Sequence, residues 1–207
     1  GAEGNDYMTA TGGRGNTHIA QKGEGGDDTF KADGHDGDDS IIIDAGDGDD
    51  TITYTVSMGE DVVFIDGGGG TDSSMIDGLV FGYAVVDPEG RVLHRSGDGG
   101  TLIVVKDVER LQVSAAIPPE GGSLRAPEDR AQIDFPSGAV DQNTVVSYAG
   151  TVPSPGGELY GVRFFELSAV ISGTTTPVTS FSVPYTMTIN YTDGEKGAAN
   201  ESTLGLC

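Results

Sequence analysis

The sequence predicts an all-β chain. A solenoid of eleven-residue Gly/Asp repeats, closed by a β cap, leads into a β-sandwich-like module. Three observations carry this. Glycine recurs every eleven residues from Gly4 to Gly70. Apolar residues follow each of these glycines at alternate positions. Beyond residue 115, short alternating runs are separated by Pro/Gly turns, without a helical period.

The repeat comes first. Its frame is Gly4, Gly15, Gly26, Gly37, Gly48, Gly59 and Gly70. Two residues after each stand Asp6, Thr17, Asp28, Asp39, Asp50, Asp61 and Asp72. Two further on come Met8, Ile19, Phe30, Ile41, Ile52, Val63 and Ser74, then Ala10, Gln21, Ala32, Ile43, Tyr54, Ile65 and Ile76. Alternation places these side chains on one face of a strand and sends Thr9, Lys31 and Thr53 to the other. One such unit cannot bury its apolar face alone; stacked units can. A lone "DGDD" would be ordinary turn chemistry, but seven units in strict frame are more than that.

The segments "GAEGNDYMT", "GEGGDDTFK", "GHDGDDSII" and "AGDGDDTIT" resemble the repeats-in-toxin nonapeptide, G-G-x-G-x-D-x-U-x. The period here is eleven rather than nine, which we read as the same turn with a longer strand. The resemblance implies a calcium-binding parallel β-roll in which one coil uses two repeats. Asp6, Asp28, Asp50 and Asp72 then line one edge, and Thr17, Asp39 and Asp61 the other. The resemblance further implies about four Ca²⁺ ions, each between neighbouring turns: 6/28, 28/50 and 50/72 on the first edge, 39/61 on the second. The turn residues assigned to them are Asp6, Gly26, Asp27, Asp28, Asp36, Gly37, Asp38, Asp39, Asp47, Gly48, Asp49, Asp50, Gly59, Asp61 and Asp72. At 17/39 a threonine replaces the aspartate, and Arg14 is expected to supply the positive charge. The turn "VSMGEDVVF" lacks the leading glycines and is the weakest that still carries its aspartate.

Electrostatics gives the cation a reason. Parallel strands stack about 4.8 Å apart, where two unit charges in water repel by about 1 kcal/mol. Over a whole edge this rivals the 5–15 kcal/mol stability of a small domain. Ca²⁺ accepts six to eight oxygen ligands in flexible geometry. An EF-hand would need different spacing and flanking helices.

Charge sets the wider bounds. The formal net charge is -22, of which -15 lies in residues 1–77 (18 Asp/Glu against 3 Lys/Arg). Residues 78–117 carry -1 and residues 118–207 carry -6. Such a surface argues against nucleic acid and anionic membrane as partners, and for cations. No run is long enough to suggest membrane insertion. The lone cysteine, Cys207, excludes an internal disulfide. "DGGGGTD" lacks the lysine of a phosphate loop. His18, His35 and His94 share no repeat position that would suit zinc, and no catalytic motif is present. We therefore expect no enzyme. The sequons Asn190-Tyr191-Thr192 and Asn200-Glu201-Ser202 would matter only in a glycosylating host.

After the repeats, "LVFGYAVVDPEGRVLHRS" reads as two strands around the turn "DPEG", with "GTLIVVKDV" and "ERLQVS" as two more. Residues 78–114 are expected to cap the roll of residues 1–77. Residues 115–130 read as a Pro/Gly linker. In residues 131–207 the runs "AQIDF", "NTVVSYAG", "LYGVRFFELSAV", "VTSFSV" and "YTMTINYTD" suggest a β-sandwich, and they resemble modules repeated in large secreted bacterial surface proteins. Phe164, Phe165, Tyr185 and Tyr191 are expected in its core. The chain reads as a processed product or fragment whose Gly1 end is uncapped.

These observations together lead us to expect a secreted or cell-surface calcium-binding structural or adhesion module, from a bacterium. Its partners would be calcium and, beyond it, copies of itself or cell-surface components. A calcium-stabilised filament or surface-layer subunit, or the accessory region of a secreted hydrolase, are the alternatives.

Overall fold

A computed structural model describes residues 1, 3–77, 83–96, 100–126, 131–150 and 165–190. Those residues contain strands and turns and no helix. The first seven strands are β1 (Tyr7–Thr11), β2 (His18–Gly25), β3 (Thr29–Asp33), β4 (Ser40–Asp47), β5 (Thr51–Thr55), β6 (Val62–Asp66) and β7 (Ser73–Asp77). They alternate between two sheets. β1 pairs in parallel with β3, β3 with β5 and β5 with β7, while β2 pairs with β4 and β4 with β6. Tyr7 lies beside Thr29, and Thr29 beside Thr51, so one coil is two repeats long. The result is a parallel β-solenoid of about four turns.

The alternation has the expected consequence. Phe30, Ile41, Ile43, Ile52, Tyr54, Val63, Ile65 and Ile76 are fully buried between the sheets, while Thr9 and Lys31 are exposed. Each large side chain contributes about 1.5–3 kcal/mol by leaving water. Met8 and Ala10, in the first coil, are only partly buried. β1 and β2 are also the terminal strands of their sheets, at the same end of the roll.

After β7 the chain leaves the roll to make an antiparallel hairpin, β8 (Tyr83–Val86) and β9 (Val92–Ser96). Its turn is closed by the Gly90 N–H on Asp87 O at 2.9 Å. The chain then returns. β10 (Thr101–Lys106) inserts in parallel between β6 and β8, and β11 (Arg110–Ile117) runs in parallel beside β7. Part of the expected cap is therefore a further layer of the roll itself.

β11 also pairs antiparallel with β14 (Thr144–Gly150), which pairs with β15 (Phe165–Ile171). One seven-stranded sheet thus runs from the roll into the second module. Opposite β11, β14 and β15 stands a small sheet of β12 (Gly122–Arg125), β13 (Ala131–Phe135) and β16 (Thr186–Ile189). Val113, Ile117, Leu124, Ile133, Phe135, Val146 and Tyr148 fill the space between them. Leu111 packs against both this core and that of the roll.

Part of the expected linker is sheet. β11 extends to Ile117, a turn closes with the Gly121 N–H on Pro118 O, and β12 follows. "AQIDF" forms β13, whereas "VTSFSV" forms no strand. Pro177 and Pro184 flank that run, and a proline cannot donate to a ladder. Phe181 and Tyr185 instead pack on Phe135, with ring centroids 5.2–5.4 Å apart. Tyr185 remains 38% exposed, at the rim of the core rather than inside it. The Phe164, Tyr191, Asn200 and Cys207 expectations lie outside the described residues.

Candidate metal centre

The turns stack as directly as the strands. Gly4, Gly26, Gly37, Gly48, Gly59 and Gly70 all adopt positive φ. At Gly48 the reason is steric as well as conformational: a Cβ there would lie 2.1 Å from Gly26 O of the coil before. The frame glycines therefore serve close approach of backbone to backbone.

From the third repeat onward the sixth residue of the turn is buried. Asp28, Asp39, Asp50, Asp61 and Asp72 are between 0 and 3% exposed. Each reaches back to the preceding coil. The N–H groups of Asp6, Asp28 and Asp50 donate to Oδ1 of Asp28, Asp50 and Asp72, at 2.7, 2.7 and 2.8 Å. On the other edge, Thr17 N–H donates to Asp39 Oδ1 and Asp39 N–H to Asp61 Oδ1. Both series continue past the hairpin. Asp72 N–H donates to Glu109 Oε2 at 2.7 Å, and Asp61 N–H to Thr101 Oγ1 at 3.3 Å.

The second carboxylate oxygen is where the turns differ. Oδ2 of Asp28, Asp39, Asp50 and Asp72 is buried without a hydrogen-bond donor. Other oxygens crowd the same places. A Cβ on Gly23 would lie 2.3 Å from Asp28 Oδ2 and 1.9 Å from Ala45 O. One on Gly67 would lie 2.7 Å from Asp72 Oδ2 and 2.0 Å from Asp107 O. One on Gly1 would lie 2.6 Å from both Asp6 Oδ2 and Gly23 O. At Gly23 and Gly67, acceptor oxygens therefore converge on a carboxylate oxygen that has no donor, and the missing side chain leaves the space. These four turns share one more trait. Their second residues, Glu24, His35, Gly46 and Gly68, are left-handed, whereas the second residues of the 12–17 and 56–61 turns, Gly13 and Ser57, are not.

Burial pushes the Asp50 carboxyl above its ordinary range, with Asp28, Asp27 and Asp49 adding like-charge repulsion. Burial also raises Asp72, to about 6, with Asp50, Glu109 and Asp49 contributing. In both, a backbone N–H from the coil before pulls the other way. Buried carboxylates in this position need neutralisation by a proton or a cation.

The fifth-position aspartates behave differently. Asp27, Asp38 and Asp49 are exposed, and their Oδ1 atoms accept N–H groups from the coil after: Asp49, Glu60 and Thr71 at 3.0, 3.0 and 2.8 Å. Asn5 and Asn16 do the same for Asp27 and Asp38. Two side-chain ladders thus run in opposite senses along each edge. Asp47 is exposed and Asp36 half-exposed, the latter beside His35 Nδ1 at 3.7 Å. Asp27, Asp36, Asp38, Asp47 and Asp49 are thus more open to solvent than the sixth-position carboxylates. Asp6 is half-buried, and Gly26, Gly37, Gly48 and Gly59 act through shape. Arg14 is exposed and takes part in none of the described ion pairs.

Sequence reasoning missed four participants. Thr101 and Glu109 replace aspartates in the final layer. Tyr54 OH and Ser57 Oγ donate to Asp61 Oδ2, at 2.6 and 3.0 Å. Tyr54 was legible only as a core residue; its polar end needed a buried partner. Burial, then the Asp61 carboxylate, raise the Tyr54 hydroxyl far above its ordinary value, so it donates throughout the usable pH range.

Among the described residues, no group of three or more His, Cys, Asp or Glu side chains comes together. The edges offer carboxylates in file, with backbone carbonyls between them. No protein-family model, curated protein or solved structure matches this chain.

Proposed function

We propose that the roll is a calcium-binding structural module that folds on Ca²⁺, and that the chain works outside the cell as a stalk or adhesive element. One observation carries the reading: the unpartnered, buried Oδ2 atoms of Asp28, Asp39, Asp50 and Asp72, with other acceptor oxygens crowded against them. A hard divalent cation suits such a set, because carboxylate and carbonyl oxygens are its ordinary ligands. Asp28, Asp39, Asp50 and Asp72 would hold it, together with turn carbonyls such as Ala45 O. The cation would supply the positive charge that the edges lack. Because ligand pairs form only when coils stack, binding free energy becomes folding free energy. Affinities of extracellular modules fall near 10⁻⁴–10⁻³ M, which would leave the chain extended inside a cell and folded outside.

The test is a Ca²⁺ titration of the full chain followed by circular dichroism, with Mg²⁺ as control. A cooperative gain of β signal with Ca²⁺ alone supports the reading. A chain fully structured in chelator and indifferent to Ca²⁺ removes it. Among the described residues β1 and β2 pair on one side only, and an unpaired edge is a template for pairing, so the second reading is a filament or surface-layer subunit. Ca²⁺-dependent growth in light scattering would favour it, and a strict monomer at high concentration would exclude it.

A further inference from the structure

The gap between the 34–39 and 56–61 turns is built unlike the others. A Cβ placed on Gly34 would lie 2.7 Å from Asp39 Oδ2, 2.9 Å from Ser57 Oγ and 3.2 Å from Asp61 Oδ2. At Gly23 and Gly67 the same construction meets one carboxylate oxygen and a backbone carbonyl. Here it meets oxygens of two carboxylates and a hydroxyl. Asp39 is 3% exposed, Asp61 0% and Ser57 7%. Asp39 Oδ2 has no donor. The cause is local. Val56 stands where the other described turns begin with Gly or Ala, and it packs into the core. Ser57 is not left-handed, unlike its counterparts Glu24, His35, Gly46 and Gly68.

We propose that this pocket beside Gly34 is the tightest cation site of the roll and the first to fill, with Asp39, Asp61 and Ser57 as oxygen donors and Tyr54 as a positioning residue. The proposal rests on the calcium reading above and adds an order to it. Two facing carboxylates attract a divalent ion more strongly than a carboxylate and a carbonyl, and ligand charge is a main determinant of Ca²⁺ affinity. Tyr54 OH and the Asp39 N–H hold the Asp61 carboxylate in place before any ion arrives. A pre-held ligand costs less to order on binding. The third coil would then be the seed from which neighbouring coils are stapled.

Gly34 provides a direct test, because it does not adopt positive φ. Gly34→Ala therefore leaves the turn conformation alone and puts a methyl group among the three oxygens. Stepwise Ca²⁺ binding by calorimetry, with chelator competition to resolve the tightest step, is compared for the wild type, Gly34→Ala, Ser57→Ala and Tyr54→Phe. The expectation is that Gly34→Ala loses the tightest step and keeps the weaker ones. Ser57→Ala and Tyr54→Phe weaken that step alone, by about 10–100-fold as for other shells around metals. If Gly34→Ala does not fold, the two hydroxyl deletions carry the test. The proposal is overturned if both leave the isotherm unchanged and only lower the thermal midpoint in chelator, since the hydroxyls would then be a metal-free lock on Asp61. It is overturned equally if the step they weaken is not the tightest. A wild-type chain that binds no Ca²⁺ at all defeats the functional reading itself, a result distinct from either.

Discussion

Asp50→Asn separates the charge of the ladder from its hydrogen bonds. Asp50 sits mid-file: its Oδ1 accepts the Asp28 N–H at 2.7 Å and its own N–H donates to Asp72 Oδ1 at 2.8 Å. The amide oxygen preserves the first bond and the backbone preserves the second. What disappears is one negative charge between two others. At a strand spacing of about 4.8 Å, each neighbour repels Asp50 by about 1 kcal/mol even at the dielectric constant of water. Without metal, the substitution therefore stabilises by about 1–2 kcal/mol. For a chain of this size that raises the thermal midpoint by roughly 2–8 °C. In saturating Ca²⁺ the sign reverses, because a ligand is lost from the 28/50 and 50/72 gaps, and each tenfold loss of affinity costs about 1.4 kcal/mol. Thermal unfolding by circular dichroism, in chelator and in millimolar Ca²⁺, reads both values. If the shift has the same sign in the two buffers, Asp50 is a structural acceptor and the argument from charge is wrong.

Acid should act on the chelated protein in an unusual direction. Asp72 has a folded value of about 6 against 3.8 for the free group, and Asp50 shifts the same way. The folded state thus holds protons that the unfolded state has released, and this contribution is fully present below 3.8 and lost as pH rises through about 6. Midpoints measured in chelator should fall from pH 4 to pH 7, and Ca²⁺ should abolish or invert that slope. Gly48→Ala forces a side chain into left-handed backbone against Gly26 O. The conformation alone costs about 1–3 kcal/mol, so a loss of midpoint both with and without Ca²⁺ is expected by the same assay. Phe30→Ala empties a fully buried site in the core of the roll and should cost about 3–5 kcal/mol in urea unfolding, with the number of bound ions unchanged.

The roll was legible because its two periods reinforce each other. Glycine at every eleventh residue marks the turn, and Phe30, Ile41, Ile52 and Val63 mark the buried face. The final layer was not, because the β8–β9 hairpin breaks the frame. Val62 pairs with Leu102 and Ser73 with Arg110, offsets of forty and thirty-seven where the earlier coils keep twenty-two. There Thr101 and Glu109 take up the aspartate's hydrogen bond without matching the repeat. Within the turns, sequence could not separate the buried Asp28 and Asp50 from their exposed neighbours Asp27 and Asp49, since adjacent aspartates look alike until the backbone sends one inward. The bonds of Tyr54 and Ser57 to Asp61 were hidden for a related reason: they depend on which way a core tyrosine aims its hydroxyl. Val113, in turn, read as the end of a cap and Ala115 as the start of a linker, because nothing local shows that one strand, β11, can serve two cores.

The alternation of strands between two sheets sets a rule for how this chain can change in length. Odd-numbered strands of the roll belong to one sheet and even-numbered strands to the other. Gaining or losing twenty-two residues, the distance from Thr29 to Thr51, leaves every downstream strand in its own sheet. Gaining or losing eleven would send each to the opposite one. Downstream of the change the two files of aspartate would trade edges, while β11 and β14, which both follow the repeats, would move together. Genetic drift in repeat number would therefore keep each file of aspartate continuous when it comes in whole coils, and splice one file onto the other when it comes in halves.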